Sequence, residues 1–196
     1  MEAFSDGVFA VAITLLALDL RPGEGETLAQ QLTSGNALAG YAAYVVSFLI
    51  IGIIWVNHHG VFRLITQTDR VLLYLNLILL LFVAAIPFPT ALLAEHLAGG
   101  EDANVAAFAY SAVMFLMGVS FGLLWWWVVR GGRLLARPME RAEERVALRR
   151  FTVGNVAYLA LLGLSWVSAP LTLAGHFLLA VYYAVDQLPV ARERAP

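Results

Sequence analysis

The chain alternates long apolar runs with short polar interruptions. Six of the runs read as membrane-spanning helices, at about 4–20, 38–60, 71–94, 105–129, 151–167 and 171–185. A span needs about 20 apolar residues, so the first run, at roughly 25 Å of helix, is short for a bilayer. The last two runs are parted only by Ser168, Ala169 and Pro170, which predicts a tight helical hairpin. Pro87 and Pro89 predict a kink or an end in the third run, because proline lacks the N–H that the helix needs. The first run has no basic flank, and Arg21-Pro22-Gly23 follows it instead of a small-residue cleavage site. It is therefore expected to be a retained helix and not a signal peptide.

The polar interruptions are asymmetric. Arg63 and Arg70 lie between runs two and three. Arg130, Arg133, Arg137, Arg141, Arg145, Arg149 and Arg150 lie between runs four and five, and Arg192 and Arg194 follow run six. With six spans, these eleven fall on one side and only Arg21 on the other. The positive-inside rule then puts both termini in the cytoplasm, together with a linker over about 130–150. That linker mixes Glu140, Glu143 and Glu144 with arginine and predicts a solvated helix. Trp125, Trp126 and Trp127 predict an inner interfacial belt. Leu28 and Leu32 predict a short interfacial helix over Thr27–Gly35 on the outer side. Glu24, Glu26, Glu95, Glu101 and Asp102 give that side an acidic excess, a weak attraction for cations.

Composition agrees. Hydrophobic residues make up 61% and charged residues 13%, against about 45–50% and about 25% in soluble domains. The mean hydropathy is +0.78. Too few charges are present to cover a soluble surface, which excludes a soluble globule and a disordered chain. The net charge of −2 leaves no basic footprint for nucleic acid. The absence of cysteine removes disulfides, thiol nucleophiles and cysteine metal sites. The expected fold class is an all-α polytopic membrane protein of six transmembrane helices, one unit over 1–196, with no cofactor and no enzymatic role.

The first run carries the candidate chemistry. Ser5 and Asp6 lie at the membrane boundary, where an ionisable group is costly and marks a functional site by default. The competing reading is a helix N-cap, and the two are compatible. Val11, Leu15 and Leu18 share one helical face bordered by Thr14. On physics alone such a stripe favours packing over a hydrophobic pore constriction. His58 and His59 point about 100° apart on a helix, which disfavours a zinc site. Either histidine lies at a depth where it could meet Asp6. Asn76, Asn155 and Ser165 read as interhelical glue, and Gly118 and Gly122 as a small-residue packing face.

The run Glu2-Ala3-Phe4-Ser5-Asp6-Gly7-Val8-Phe9-Ala10-Val11, with Trp55-x-x-His58-His59-x-x-Phe62, resembles the prokaryotic relatives of transmembrane protein 175, the lysosomal potassium channel family. The resemblance covers nearly the whole chain and implies a homotetramer around a potassium-permeable pore lined by the first helix, in the plasma membrane. It implies that Val11 forms the constriction, that Leu15 and Leu18 continue the lining, and that the Thr14 hydroxyls contribute to potassium selectivity. It also implies that Phe4, Ser5 and Asp6 interact with Trp55, His58 and His59 to hold that helix. Family members usually carry a larger Ile or Leu where Val11 stands, and an Arg four positions before the Phe, a position the sequence does not reach. The alternative is a proton-coupled transporter using Asp6, His58 and His59.

Overall fold

The computed structural model describes residues 1–20, 22–23, 25–97, 102–130, 132–136 and 139–185. Arg21, Glu24, Glu101, Arg137, Arg192 and Arg194 lie outside the described residues. The described residues form eight helices: α1 Glu2–Leu18, α2 Leu28–Thr33, α3 Gly35–Phe62, α4 Arg70–Ala85, α5 Pro87–His96, α6 Asp102–Val129, α7 Arg141–Leu164 and α8 Ala169–Val185.

The starts of α2, α3 and α4 follow side-chain capping. Thr27 and Gln30 make a reciprocal capping box at α2. Ser34 accepts from Ala37 N at 3.2 Å at α3, and Asp69 accepts from Leu72 N at 2.8 Å at α4. Each satisfies a backbone donor that the first helical turn cannot. The break between α4 and α5 falls at the prolines. Pro87 has no N–H to offer Val83, so Ile86 N takes that carbonyl in a tighter bond of 3.2 Å. Thr90 Oγ1 donates to Ile86 O at 2.8 Å just beyond.

Among the described residues, three stretches are long and apolar enough to cross a membrane: Gly35–Phe62, Arg70–His96 and Asp102–Val129. At 28 residues, α3 and α6 would each reach about 42 Å, beyond the hydrocarbon thickness. The α6 helix is central and packs on α4, α5, α7 and α8, while α1 packs on α3, α4 and α5. Ile51, Leu72, Leu79, Leu124 and Trp125 are fully buried where these helices meet. Polar glue crosses the same core: Ser47 Oγ lies 2.9 Å from Thr90 Oγ1 and 3.0 Å from Tyr110 Oη. Gly118 sits in the α6–α7 contact, where an added Cβ would lie 2.6 Å from Asn155 Oδ1.

Two expectations from the sequence change. The 130–150 linker is not wholly solvated. Leu134 and Leu135 are buried. Their strand-like segment pairs with the α3–α4 connection through Thr66 N to Leu134 O, 2.9 Å, and Ala136 N to Leu64 O, 3.1 Å. The physical reason is that two adjacent leucines gain more by covering Ile65 and the helix ends than by facing water. The charged half of the linker, from Arg141 onward, is continuous with the fifth apolar run as the single helix α7. The tryptophan belt also divides. Trp125 is buried in the core, Trp126 lies under Arg130 with its guanidinium 4.8 Å from the ring, and Trp127 bonds to Asp69.

Candidate functional site

The N-terminal end of α1, the C-terminal end of α3 and the N-terminal end of α4 meet at one end of the bundle. Antiparallel neighbours bring those ends to one level. Ser5, on the first turn of α1, is fully buried. Its hydroxyl accepts from Asn76 Nδ2 at 3.0 Å. The Asn76 Oδ1 lies 2.8 Å from His58 Nε2, so Asn76 joins α1 to α3 through α4. His58 is wedged between rings, 5.3 Å from Phe9 and stacked 4.3 Å from Phe62. A buried polar network of this kind fixes the helix, because losing one member strands the others without water.

Asp6 is half-buried one residue further on. Its Oδ1 accepts from Trp55 Nε1 at 2.8 Å, the short length of a charge-assisted bond. The Trp55 ring in turn stacks on His59 at 5.8 Å. In place of the direct contact between Asp6 and a histidine that the shared depth allowed, the bonds formed are Asp6–Trp55 and His58–Asn76. Of the signature residues, Ser5, Asp6, Trp55, His58 and His59 are brought together. Phe4 is not: its side chain is exposed. Asn76 was legible only as a polar residue in an apolar run, and its place as the hub depends on the register of three helices.

Beyond this base, α1 has two unlike faces. Phe9, Ala12 and Leu16 are buried against α3 and α4. Val11 is 57% exposed, and Leu15 and Leu18 are exposed beside it. Thr14 is exposed on the same side. Its hydroxyl donates into its own helix, 2.9 Å from Ala10 O and 2.9 Å from Val11 O. The donor is thus engaged, while the oxygen lone pairs stay outward. A cleft along this face is lined by Phe4, Val8, Val11 and Leu15 of α1 and by Ala84 near the C-terminal end of α4.

A second polar cluster closes the same end of the molecule. Besides capping α4, Asp69 accepts from Trp127 Nε1 at 3.1 Å and from the Arg133 guanidinium at 3.0 Å. The Arg133 guanidinium lies 5.6 Å from the Trp127 ring centre. The Leu72 amide, the Trp127 indole and Arg133 hold the Asp69 carboxyl below the usual carboxylate range. The sequence signal for it was an Asp immediately before an apolar helix. Among the described residues no group of His, Cys, Asp and Glu could hold a metal ion.

These features define a helical integral membrane protein. Its first helix is pinned by a polar base and leaves an apolar, hydroxyl-bearing face uncovered by its own chain. Residues 1–87 match the family model of the endosomal/lysosomal potassium channel TMEM175. A potassium channel of Streptomyces collinus is 48% identical over 196 residues, covering 100% of this chain and 95% of that one. The crystal structure of a lysosomal potassium-selective channel TMEM175 homologue from Chamaesiphon minutus superposes with a TM-score of 0.83 at 36% identity, covering 94% of both chains. An endosomal/lysosomal proton channel TMEM175 of Gallus gallus is 38% identical over 104 residues, which is 48% of this chain and 21% of that protein. The chain belongs to the TMEM175 family, whose members are ion channels and not enzymes.

Proposed function

We propose that four copies of this chain surround a pore lined by α1, through which potassium ions pass passively across the plasma membrane. The observation that carries this reading is the face of α1: Val11 is 57% exposed, while Phe9, Ala12 and Leu16 on the opposite face are buried. A spanning helix with a buried back and an open front needs either lipid or copies of itself at the front. The Thr14 oxygen on that face favours the second, since a hydroxyl facing lipid gains nothing from it. The names of the two bacterial relatives, a potassium channel and a potassium-selective channel homologue, favour the same ion.

In this reading Val11 is the narrowest point, Leu15 and Leu18 continue the lining, and Thr14 contributes selectivity. The three long stretches, with α1, α7 and α8, make six spans with both termini in the cytoplasm. That places the Ser5–Asn76–His58 base and the Asp69 cluster at the inner surface. The coupled-transporter alternative drew on an Asp6–histidine pair. Asp6 instead bonds to Trp55, so its carboxylate is held as a structural acceptor. Reconstitution in liposomes under opposed potassium and sodium gradients tests the reading. A reversal potential near the potassium value is expected, and a wild-type protein that passes no electrodiffusive current would overturn it.

A further inference from the structure

Away from α1, a cleft opens between α3, α6, α7 and α8. Its wall chemistry is ordered along the helix axes. At one end stand Asn57 of α3, Arg150 of α7 and Tyr183 of α8. One turn deeper along α7 is Asn155, and deeper still the lining is Ile50, Met117 and Tyr158. The antiparallel helices agree on this order. Residue numbers fall from Asn57 to Ile50 along α3 and from Tyr183 to Ala180 along α8, while they rise from Arg150 to Tyr158 along α7. From Arg150 to Tyr158 the cleft follows about 12 Å of helix.

Arg150 is 8% exposed. Its guanidinium lies 3.4 Å from Asn57 Oδ1, 3.5 Å from Tyr183 O and 5.2 Å from the Tyr183 ring centre. The Asn155 amide makes none of the side-chain hydrogen bonds found among the described residues, although it lines a mainly apolar cleft. A primary amide in such a place calls for an acceptor. Arg145 and Arg149 are exposed on the same helix and are not among the residues that line the cleft.

We propose that this cleft binds an anionic phospholipid of the inner leaflet. The phosphate meets Arg150, the glycerol ester carbonyl accepts from Asn155, and one acyl chain lies along Ile50, Met117 and Tyr158. The order cation, amide, hydrocarbon matches the order phosphate, ester, chain in the lipid. Basic pockets between spanning helices on the cytoplasmic side are suited to anionic head groups. The leaflet follows from the proposed topology; the binding does not depend on the pore.

The full-length protein, reconstituted in vesicles of phosphatidylcholine and phosphatidylglycerol, is extracted and its retained lipid read by native mass spectrometry. Wild type is expected to retain phosphatidylglycerol about fivefold above its bulk share, the gain one basic residue confers. Arg150→Gln should bring retention to the bulk ratio, Arg150→Lys should keep most of the preference, and Arg149→Gln, at an exposed neighbour, should keep all of it. Ala180→Phe, which fills the cleft, should lose both lipids. Thermal unfolding of each variant identifies any that fails to fold. Wild type at the bulk ratio overturns the site. So does an equal loss in Arg149→Gln and Arg150→Gln, or retention of added dodecanoate in place of the phospholipid. The assay reads bound lipid and not ion flux, so its failure is distinct from failure of the channel reading.

Discussion

Asn76 donates to the Ser5 hydroxyl across 3.0 Å, tying the first turn of α1 to a residue 71 positions later in the chain. The bond is buried, and its acceptor has no water to turn to. Asn76→Ala should lower stability by about 2 kcal/mol, since Ser5 and His58 both lose a partner. Thermal unfolding in detergent measures this. A double-mutant cycle with Ser5→Ala should show the two losses to be far from additive.

Thr14→Val keeps the shape of the side chain and removes the oxygen. Because the hydroxyl already donates to its own helix, the helix should persist and the protein should still conduct. The potassium-to-sodium permeability ratio should fall, read as a shift of reversal potential toward zero.

Val11→Ala should raise single-channel conductance, and Val11→Phe should abolish it, with little change in melting temperature for either. Val11 lies on the exposed face of α1, so neither change disturbs the core. Planar-bilayer recording gives the conductance. Equal conductance in all three proteins would place the constriction elsewhere.

Gly118→Val should destabilise by about 1–3 kcal/mol through overpacking. An added Cβ there would lie 2.6 Å from Asn155 Oδ1 and 3.0 Å from the Tyr158 ring. Gly52, where a Cβ meets nothing within 4 Å, is the control position, and Gly52→Ala should be near neutral.

The Asp69 cluster predicts a direction with pH. Its folded-state pKa is depressed, with the Leu72 amide as the largest cause. Its stabilisation is therefore fully present above the unfolded value of about 3.9 and is lost as pH falls through the lower folded value. Asp69→Asn should remove that part of the acid dependence while leaving the melting temperature at pH 7 lower than wild type. Scanning calorimetry between pH 3 and pH 7 compares the two.

Apolar run length made the helices legible, because burial in lipid or protein demands unbroken hydrophobicity whatever the tertiary arrangement. The break at Pro87 was legible for the same kind of local reason. The fate of Leu134 and Leu135 was not. Charged neighbours dominate that stretch, and only the nearby α3–α4 connection gives the two leucines something to cover. In the site, Ser5 and Asp6 stood out as polar residues at a boundary, and Trp55 entered through the family resemblance. Their pairing did not stand out, since Asp6 could have met either histidine at that depth. In the structure Asn76 occupies His58 from a third helix, His59 stacks on Trp55, and Asp6 bonds to the Trp55 indole.

The exposed front of α1 bears alkyl groups, an aromatic ring and one hydroxyl, and nothing on it titrates. Thr14 gives its hydrogen to the backbone, so what remains outward is an acceptor alone. A conduit built from four such fronts would reject anions by orientation of dipoles and not by fixed charge. Its preference would then hold from acid to alkaline solution. Any sensitivity of the conductance to acidity would have to arrive from elsewhere in the subunit, as a change in how the back of the helix is held.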